Sequence, residues 1–157
     1  MPRGFFWFIR LPPDPASDAT PIALFGPSLE LLDVRLSRWP EVGLGGGTGT
    51  LESIWRVRQP IDHDLRFALA RTRRSDAALV GVQHDASAEA LWFPTSRWVV
   101  GEHVRLTMPV DRLADAGALG IAVVDARDAV VVPGPADGGP MPMTWDAGRI
   151  LAVVSVN

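Results

Sequence analysis

The chain has 157 residues, which is enough for one domain with a hydrophobic core of its own. Its net charge of −3 excludes the strong positive field that attracts nucleic acid, so we expect no nucleic-acid partner. It contains no cysteine, which excludes disulfides, thiolate metal sites and thiol nucleophiles. Its apolar runs fall far short of the roughly 20 residues that cross a bilayer, so we expect no membrane span in this chain.

The first twenty residues combine an aromatic cluster with a proline-rich stretch. Phe5 to Leu11 has the composition of a strand, and Pro12 and Pro13 end it. We predict that residues 1–20 form an N-terminal strand or tail with a proline-rich linker, followed by the main domain at 21–157. A competing interpretation is a remnant of a membrane-proximal segment from a longer protein. The aromatic cluster consists of Phe5, Phe6, Trp7 and Phe8.

Apolar and polar residues alternate along most of the remaining chain, which is the period of half-buried strands. Leu29 to Leu36 is apolar on both faces in its first half and alternates cleanly from Leu32 onward. The predicted strands are 22–25, 29–36, 51–57, 65–70, 77–82, 104–108, 119–124, 129–132 and 150–156.

Turn-forming residues recur about every ten residues between these strands. Eight or nine short strands with such turns predict an all-β fold, an antiparallel β-sandwich or jelly roll. The clearest pairing is a hairpin of 119–124 with 129–132. The predicted connections include a charged hairpin tip at 71–76, a polar segment at 83–89 that leads to Trp92 and Phe93, a helical turn or loop at 111–117 and a Gly/Pro loop at 133–142. The predicted core comprises Trp55, Phe67, Leu69, Val80, Val104, Leu106, Ile121, Val123, Leu151 and Val153.

The part of the chain from Leu29 to Val132 resembles a known family. The motif that carries the resemblance is Phe93-Pro94-Thr95-Ser96-x-Trp98-x-x-Gly101-Glu102, preceded by Trp55-x-Val57-x-Gln59-Pro60 and Phe67-x-Leu69. This order is similar to the extracytoplasmic β-sandwich domain that follows the transmembrane part of some bacterial glycosyltransferases. The resemblance implies a sandwich fold, a non-catalytic accessory role and no cofactor.

The resemblance also implies a location outside the cytoplasm, at the cell surface. The sequence shows no signal peptide after Met1, since the aromatic cluster lacks a small-residue cleavage site. We therefore expect either a fragment of a longer exported protein or a stand-alone intracellular relative.

Four tryptophans outside the predicted core predict a ligand-binding surface. Indole rings combine a large apolar face with a polar edge, which suits contact with a sugar ring. For one of them a structural role is the alternative: Pro94 would fix a turn and Trp98 would cover an edge of the core. The four are Trp39, Trp92, Trp98 and Trp145.

Asp62, Asp64 and His84 are the predicted metal ligands, because divalent cations accept carboxylate oxygen and imidazole nitrogen. If the strands beside the 71–76 tip pair, Asp64 and His84 share one end of a sheet. The alternative is that all three are solvated turn residues.

Three further motifs point to other chemistry. Arg71-x-Arg73-Arg74 predicts either an anion contact or a solvated hairpin end. The glycine-rich stretch 43–49 resembles a phosphate-binding loop, but a strand rather than a helix follows it and the chain has no lysine. The serines lack a Gly-x-Ser-x-Gly context, so we expect no enzyme.

These observations predict a non-catalytic accessory or binding module that contacts a glycan or a partner protein. One alternative is a structural or assembly subunit, in which the Phe5–Phe8 cluster docks on a neighbouring subunit and makes the protein oligomeric. Another is a hydrolase or transferase of unknown substrate.

Overall fold

The alternation in the sequence becomes two antiparallel sheets in the computed structural model. The structure describes residues 10–11, 20–39, 47–76, 78–125, 130–131, 133–135, 142–145 and 148–155. The strands are β1 (Arg10–Leu11), β2 (Ala23–Phe25), β3 (Leu29–Arg38), β4 (Thr48–Val57), β5 (Leu65–Arg73), β6 (Leu79–Gln83), β7 (His103–Asp111), β8 (Ala116–Asp125), β9 (Val130–Val131), β10 (Pro133–Pro135), β11 (Pro142–Trp145) and β12 (Gly148–Ser155). The helical elements are α1 (Ala88–Trp92) and two 3-10 turns, Thr95–Arg97 and Leu113–Asp115.

One sheet has the strand order β1-β7-β4-β3-β2-β10, and the other has the order β11-β12-β8-β5-β6 with β9 paired to β8. The predicted all-β antiparallel sandwich is confirmed. Seven strands among the described residues have five or more residues, close to the eight or nine predicted, and five shorter strands complete the two sheets. The predicted hairpin is also confirmed, because Val123 pairs with Val131 and Val124 with Val130. The predicted Gly/Pro loop is wrong at 133–135, where β10 pairs with β2.

A β-bulge explains the mixed pattern at the start of β3. Leu31 pairs with Trp55 and Asp33 pairs with Ile54, so Leu32 is an extra residue without an opposite partner. The extra residue shifts the alternation by one position. Leu29 and Leu31 are therefore buried before the bulge, and Val34 and Leu36 pack against the same core after it.

Trp55 lies at the centre of the core, between the two sheets. Its ring makes edge-on contacts with Phe25 at a centroid distance of 5.2 Å and with Phe67 at 5.1 Å. Its indole Nε1 donates a 2.8 Å hydrogen bond to Ser53 Oγ, which satisfies the one polar atom that the ring buries. Ser53 Oγ in turn lies 3.4 Å from the carbonyl of Leu106 on β7. Trp55 is therefore fully buried, and its one hydrogen-bond donor has a partner.

The predicted core is confirmed at seven positions and wrong at Val80, which is 39% exposed. Arg71 pairs with Gly81 and Thr72 with Leu79, so Val80 falls at a register shift without a cross-strand partner. It also lies on β6, the edge strand of its sheet. For Leu151 and Val153 the structure describes only the backbone, in β12. The confirmed positions are Trp55, Phe67, Leu69, Val104, Leu106, Ile121 and Val123.

The described part of the predicted N-terminal tail belongs to the first sheet. Arg10 pairs with Val104 and Leu11 with His103, so β1 extends this sheet beyond β7. Phe5, Phe6, Trp7 and Phe8 lie outside the described residues. Within the described ranges, no helix has the length and apolar character that a membrane crossing needs.

We expect Trp55→Ala to reduce the free energy of unfolding by about 3–5 kcal/mol, because the vacated space cannot close between two sheets. The measurement is urea denaturation followed by circular dichroism, with the midpoint falling at an unchanged slope. Trp39→Ala is the matched control: this ring is 57% exposed, and its loss should change stability by less than about 0.5 kcal/mol. Equal losses in both variants would contradict the central place of Trp55.

Candidate functional site

The connection from β6 to β7, residues 84–102, carries the motif that the sequence singled out. It contains α1 and the 3-10 turn Thr95–Arg97. The sequence predicted a polar segment at 83–89 and no helix. α1 has five residues, too few for a helical period to stand out from the sequence. Glu89 ties it to β7 through a hydrogen bond from the Thr107 hydroxyl, and the Ser87 hydroxyl donates to Glu89 at 2.8 Å.

Two side chains fix the 3-10 turn to the start of β5. Thr95 is fully buried: its Oγ1 accepts a 2.8 Å hydrogen bond from the Leu65 N–H and donates one of 3.0 Å to the His63 carbonyl. Asp64 accepts hydrogen bonds from both the N–H and the hydroxyl of Ser96. Thr95 thus provides hydrogen-bond partners for backbone groups where the chain enters β5, and Ser96 binds the Asp64 side chain just before that strand.

Trp98 belongs to the core, as its structural alternative predicted, and the prediction that it binds a ligand is wrong. The ring is only 4% exposed, and its Nε1 donates a 2.9 Å hydrogen bond to the Phe93 carbonyl. It stacks on Phe67 at 5.9 Å and on Phe93 at 6.4 Å. Neither face of the indole is available to a sugar, because both neighbours are aromatic rings of the same core.

Gly101 lies in a turn that leads into β7. Gly101 has a φ of +83°, the left-handed region that glycine adopts without steric cost. Its N–H donates to the Val57 carbonyl at 2.8 Å, and the Glu102 carboxylate accepts from the Val99 N–H at 3.1 Å. The turn therefore joins the connection to the end of β4.

Four exposed side chains surround this buried framework and form what we name the apolar corner. They occur as two pairs next to the stacked rings, one before Phe93 and one after Trp98. Because those two rings stack on each other, the two exposed pairs flank a single pair of contacting rings along the chain. Among the described residues, these are four of the six exposed large hydrophobic side chains, and each is 50–64% exposed. The apolar corner consists of Leu91, Trp92, Val99 and Val100.

The other predicted ligand-binding tryptophans lie elsewhere. Trp39 follows β3 and is exposed, and Trp145 ends β11, where the structure describes only the backbone. Of the four tryptophans, only Trp92 lies on the apolar corner. The sequence missed Leu91, Val99 and Val100. The signal that could have found them is a pair of apolar doublets, Leu91-Trp92 and Val99-Val100, within a turn-rich segment.

The structure does not assemble the predicted metal site. The ranges that the structure describes contain no group of three His, Asp or Glu side chains able to hold a metal, although Asp62, Asp64 and His84 all fall within them. The Asp64 carboxylate accepts two hydrogen bonds from Ser96, and Asp62 contacts the His63 ring. The two carboxylates proposed as ligands thus contact neighbouring side chains instead of converging with His84.

Asp85, beside His84, forms an ion pair that closes the same end of the sheet. The Arg66 guanidinium donates to both of its carboxylate oxygens, with 2.8 Å between Nε and Oδ1. These hydrogen bonds lower the pKa of Asp85 below its ordinary value; partial burial opposes the shift, and the charges of Arg66 and His84 add to it. Asp85 also has a φ of +48°, so the pair stabilises a left-handed turn at the end of β6.

Arg71, Arg73 and Arg74 line a groove at the opposite end of β5. Its volume is about 680 Å³, and its far wall is formed by Arg112, Ala114 and Asp115. The Arg74 N–H donates to the Asp115 carbonyl at 3.0 Å, which ties the two walls together. We name this the arginine groove. The sequence singled out three of its arginines and missed Arg112, which only the pairing of the strands brings to them.

Comparison with known protein families, with curated proteins and with solved structures gives no match. The resemblance to the glycosyltransferase-associated domain therefore stays a prediction.

We expect Arg66→Gln to reduce stability at neutral pH by about 0.5 kcal/mol, the usual size for a partly exposed ion pair. A carboxyl whose pKa is lower in the folded chain stabilises the fold above its unfolded pKa of about 4, and this contribution is lost as pH falls through the folded value. The difference between wild type and Arg66→Gln should therefore shrink on acidification. Urea midpoints at a series of pH values measure it.

Asp85→Asn supplies the control for this experiment. With the carboxyl removed, the further change Arg66→Gln should give a stability difference that does not vary with pH. A pH-dependent difference that persists in the Asp85→Asn background would show that another group is responsible.

We expect Gly117→Ala to destabilise the protein by about 1–3 kcal/mol, because a strained close contact would form at the wall of the arginine groove. A Cβ at Gly117 would lie 3.0 Å from the Arg73 carbonyl oxygen and 3.1 Å from the Arg74 Cα. Gly81→Ala is the control: no atom lies within 4 Å of its Cβ position, so its effect should stay below about 0.5 kcal/mol. Thermal unfolding of the two variants compares them, and equal effects would argue against the close approach.

Proposed function

We propose that this domain is a non-catalytic accessory module that binds a partner protein through the apolar corner. The observation that carries the proposal is the exposure of four apolar side chains that flank the Phe93–Trp98 stack along the chain. Exposed apolar groups that are held together favour burial against a partner. One of the four is a tryptophan, the residue type most enriched among the contacts that dominate binding energy.

The framework beneath the corner supports a binding role, because it holds the chain segment that carries the exposed side chains before any partner arrives. Trp98 is anchored by its hydrogen bond to Phe93, and Thr95 is anchored by its bonds to Leu65 and His63. A surface that is already ordered loses less conformational entropy on binding than a flexible one.

The polar groups of the connection support a role in contact rather than in chemistry. Asp64, Glu89 and Glu102 each accept hydrogen bonds that hold the connection in place. These bonds give each of the three carboxylates a role in holding the connection. The apolar corner presents apolar side chains to the solvent.

A protein partner suits the corner better than a sugar. Leu91, Val99 and Val100 are branched aliphatic side chains, which cannot hydrogen-bond to sugar hydroxyls. They can pack against the apolar centre of a protein interface, where charged residues are depleted. The resemblance of the motif from Phe93 to Glu102 to an extracytoplasmic accessory domain favours a partner at the cell surface.

Glycan contact is a second candidate, favoured by the exposure of two indole rings. Trp92 is 64% exposed and Trp39 is 57% exposed, so each can offer a face to a sugar ring. This function would use Trp92 without its aliphatic neighbours.

We expect Trp92→Ser to abolish capture of a partner by the full chain, since it removes the largest exposed contact of the corner. The measurement is cross-linking pull-down from cells that express the protein, followed by titration of each captured protein, purified, against wild type and variant. A loss of at least about 2 kcal/mol in binding free energy, roughly 30-fold, is expected of a contact that dominates an interface.

Trp39→Ser is the matched control, since it removes an equally exposed tryptophan away from the corner. Proteins that bind wild type and Trp39→Ser but fail to bind Trp92→Ser support the proposal. If Trp92→Ser retains the same partners at the same affinity, the corner is not the binding surface. Glycan-array binding that Trp92→Ser loses and Val99→Ser keeps would assign the glycan function instead.

A further inference from the structure

The arginine groove gathers four guanidinium groups in a protein whose overall charge is negative. Arg71, Arg73, Arg74 and Arg112 line it together with a single acidic residue, Asp115. The net charge of the whole chain is −3, so this positive surface is local and does not follow from composition. Its volume of about 680 Å³ falls within the range of small-molecule sites, roughly 300–1,000 Å³.

One of the four guanidinium groups is held rigidly. Arg71 donates to the carbonyl oxygen of Asp111 at 2.8 Å and to its carboxylate at 3.0 Å, and its side chain is only 21% exposed. Two hydrogen bonds to one residue fix the orientation of the planar guanidinium. Its remaining N–H groups keep their donor capacity for a ligand.

The other arginines are exposed and differ in how they are paired. Arg73 forms a 2.9 Å ion pair with Asp76, whereas 3.8 Å separates Arg112 from the Asp115 carboxylate. Arg74 makes no ion pair with any residue that the structure describes, although its backbone N–H bonds to Asp115. Three of the four guanidinium groups thus lie near a carboxylate, and Arg74 supplies the positive charge that is in excess.

The backbone of Arg112 adopts an unusual conformation at the edge of the groove. Arg112 has a φ of +52° and a ψ of +42°, the left-handed conformation, which residues other than glycine, asparagine and aspartate adopt only rarely. This conformation turns the chain from β7 into the 3-10 turn that forms the far wall. Here an arginine occupies a position that glycine would fill at less steric cost.

We propose that the arginine groove binds a small ligand that carries two or more phosphate or carboxylate groups. Arginine suits both groups because its planar fork donates two parallel N–H bonds to two oxygens of one anion. Arg74 would contact the first anionic group. Arg71, already oriented by Asp111, would contact the second from the wall of the same groove. This site is separate from the apolar corner and stands independently of the proposed partner.

The test is calorimetric titration of the full chain with inorganic pyrophosphate and, separately, with citrate, with glucose as the uncharged probe. We expect saturable binding of at least one anion, an affinity that falls as NaCl is added, and no binding of glucose. Arg74→Gln should weaken binding about tenfold, the usual effect of losing a charged hydrogen-bond donor.

Arg35→Gln is the matched control, because it removes the same charge from an exposed site on β3, in the other sheet. It should leave the affinity within about twofold of wild type, since an exposed charge so far from the groove is screened. Arg112→Asn provides a second test: asparagine tolerates the left-handed backbone, so this variant removes the guanidinium while the turn is kept.

Tighter binding of pyrophosphate assigns a phosphate ligand, and tighter binding of citrate assigns a carboxylate ligand. Either outcome supports the site if Arg74→Gln and Arg112→Asn both weaken it. The proposal is overturned if neither anion saturates, or if Arg35→Gln weakens binding as much as Arg74→Gln does.

Discussion

A continuous series of ring contacts joins both sheets and the β6–β7 connection. It runs from Phe25 to Trp55, then to Phe67 and Trp98, and ends at Phe93, with centroid distances between 5.1 and 6.4 Å. The first two rings belong to one sheet, the third to the other sheet, and the last two to the connection. Each such pair adds about 1 kcal/mol beyond the apolar area that it buries. The distance between the sheets and the position of the connection therefore depend on the same set of rings.

This dependence explains why Phe93 and Trp98 of the motif are buried while their chain neighbours Trp92 and Val99 are exposed. Phe93 and Trp98 point inward because the rings of the core extend to them. Once these two positions are fixed inward, the short chain on either side has to present its neighbours outward. Trp92 and Val99 are exposed for that reason. Exposed apolar side chains do not stabilise the fold by burial, and burial against a partner would remove their surface from water.

Much of the fold could be predicted from the sequence, because the two-residue period of a strand is visible in almost every long segment. What escaped prediction depends on register. The bulge at Leu32 and the shift at Val80 each insert one residue, and one residue reverses which face a side chain occupies. α1 is too short to show a period. The apolar corner was predicted only through Trp92, since a pattern of residue types cannot tell whether Trp98 beside it is covered by another ring.

The two surfaces lie at opposite ends of the same strands. β5 begins at Leu65, where Thr95 anchors the connection, and ends at Arg73 in the arginine groove. The strand has nine residues, and the eight steps between them at about 3.3 Å each place these ends roughly 26 Å apart. The intervening strand pairs with β8 along its whole length and with β6 from Leu69 to Thr72, and its Phe67 packs in the ring series. A ligand in the arginine groove and a partner at the apolar corner would therefore contact different ends of β5 and would not compete for the same residues.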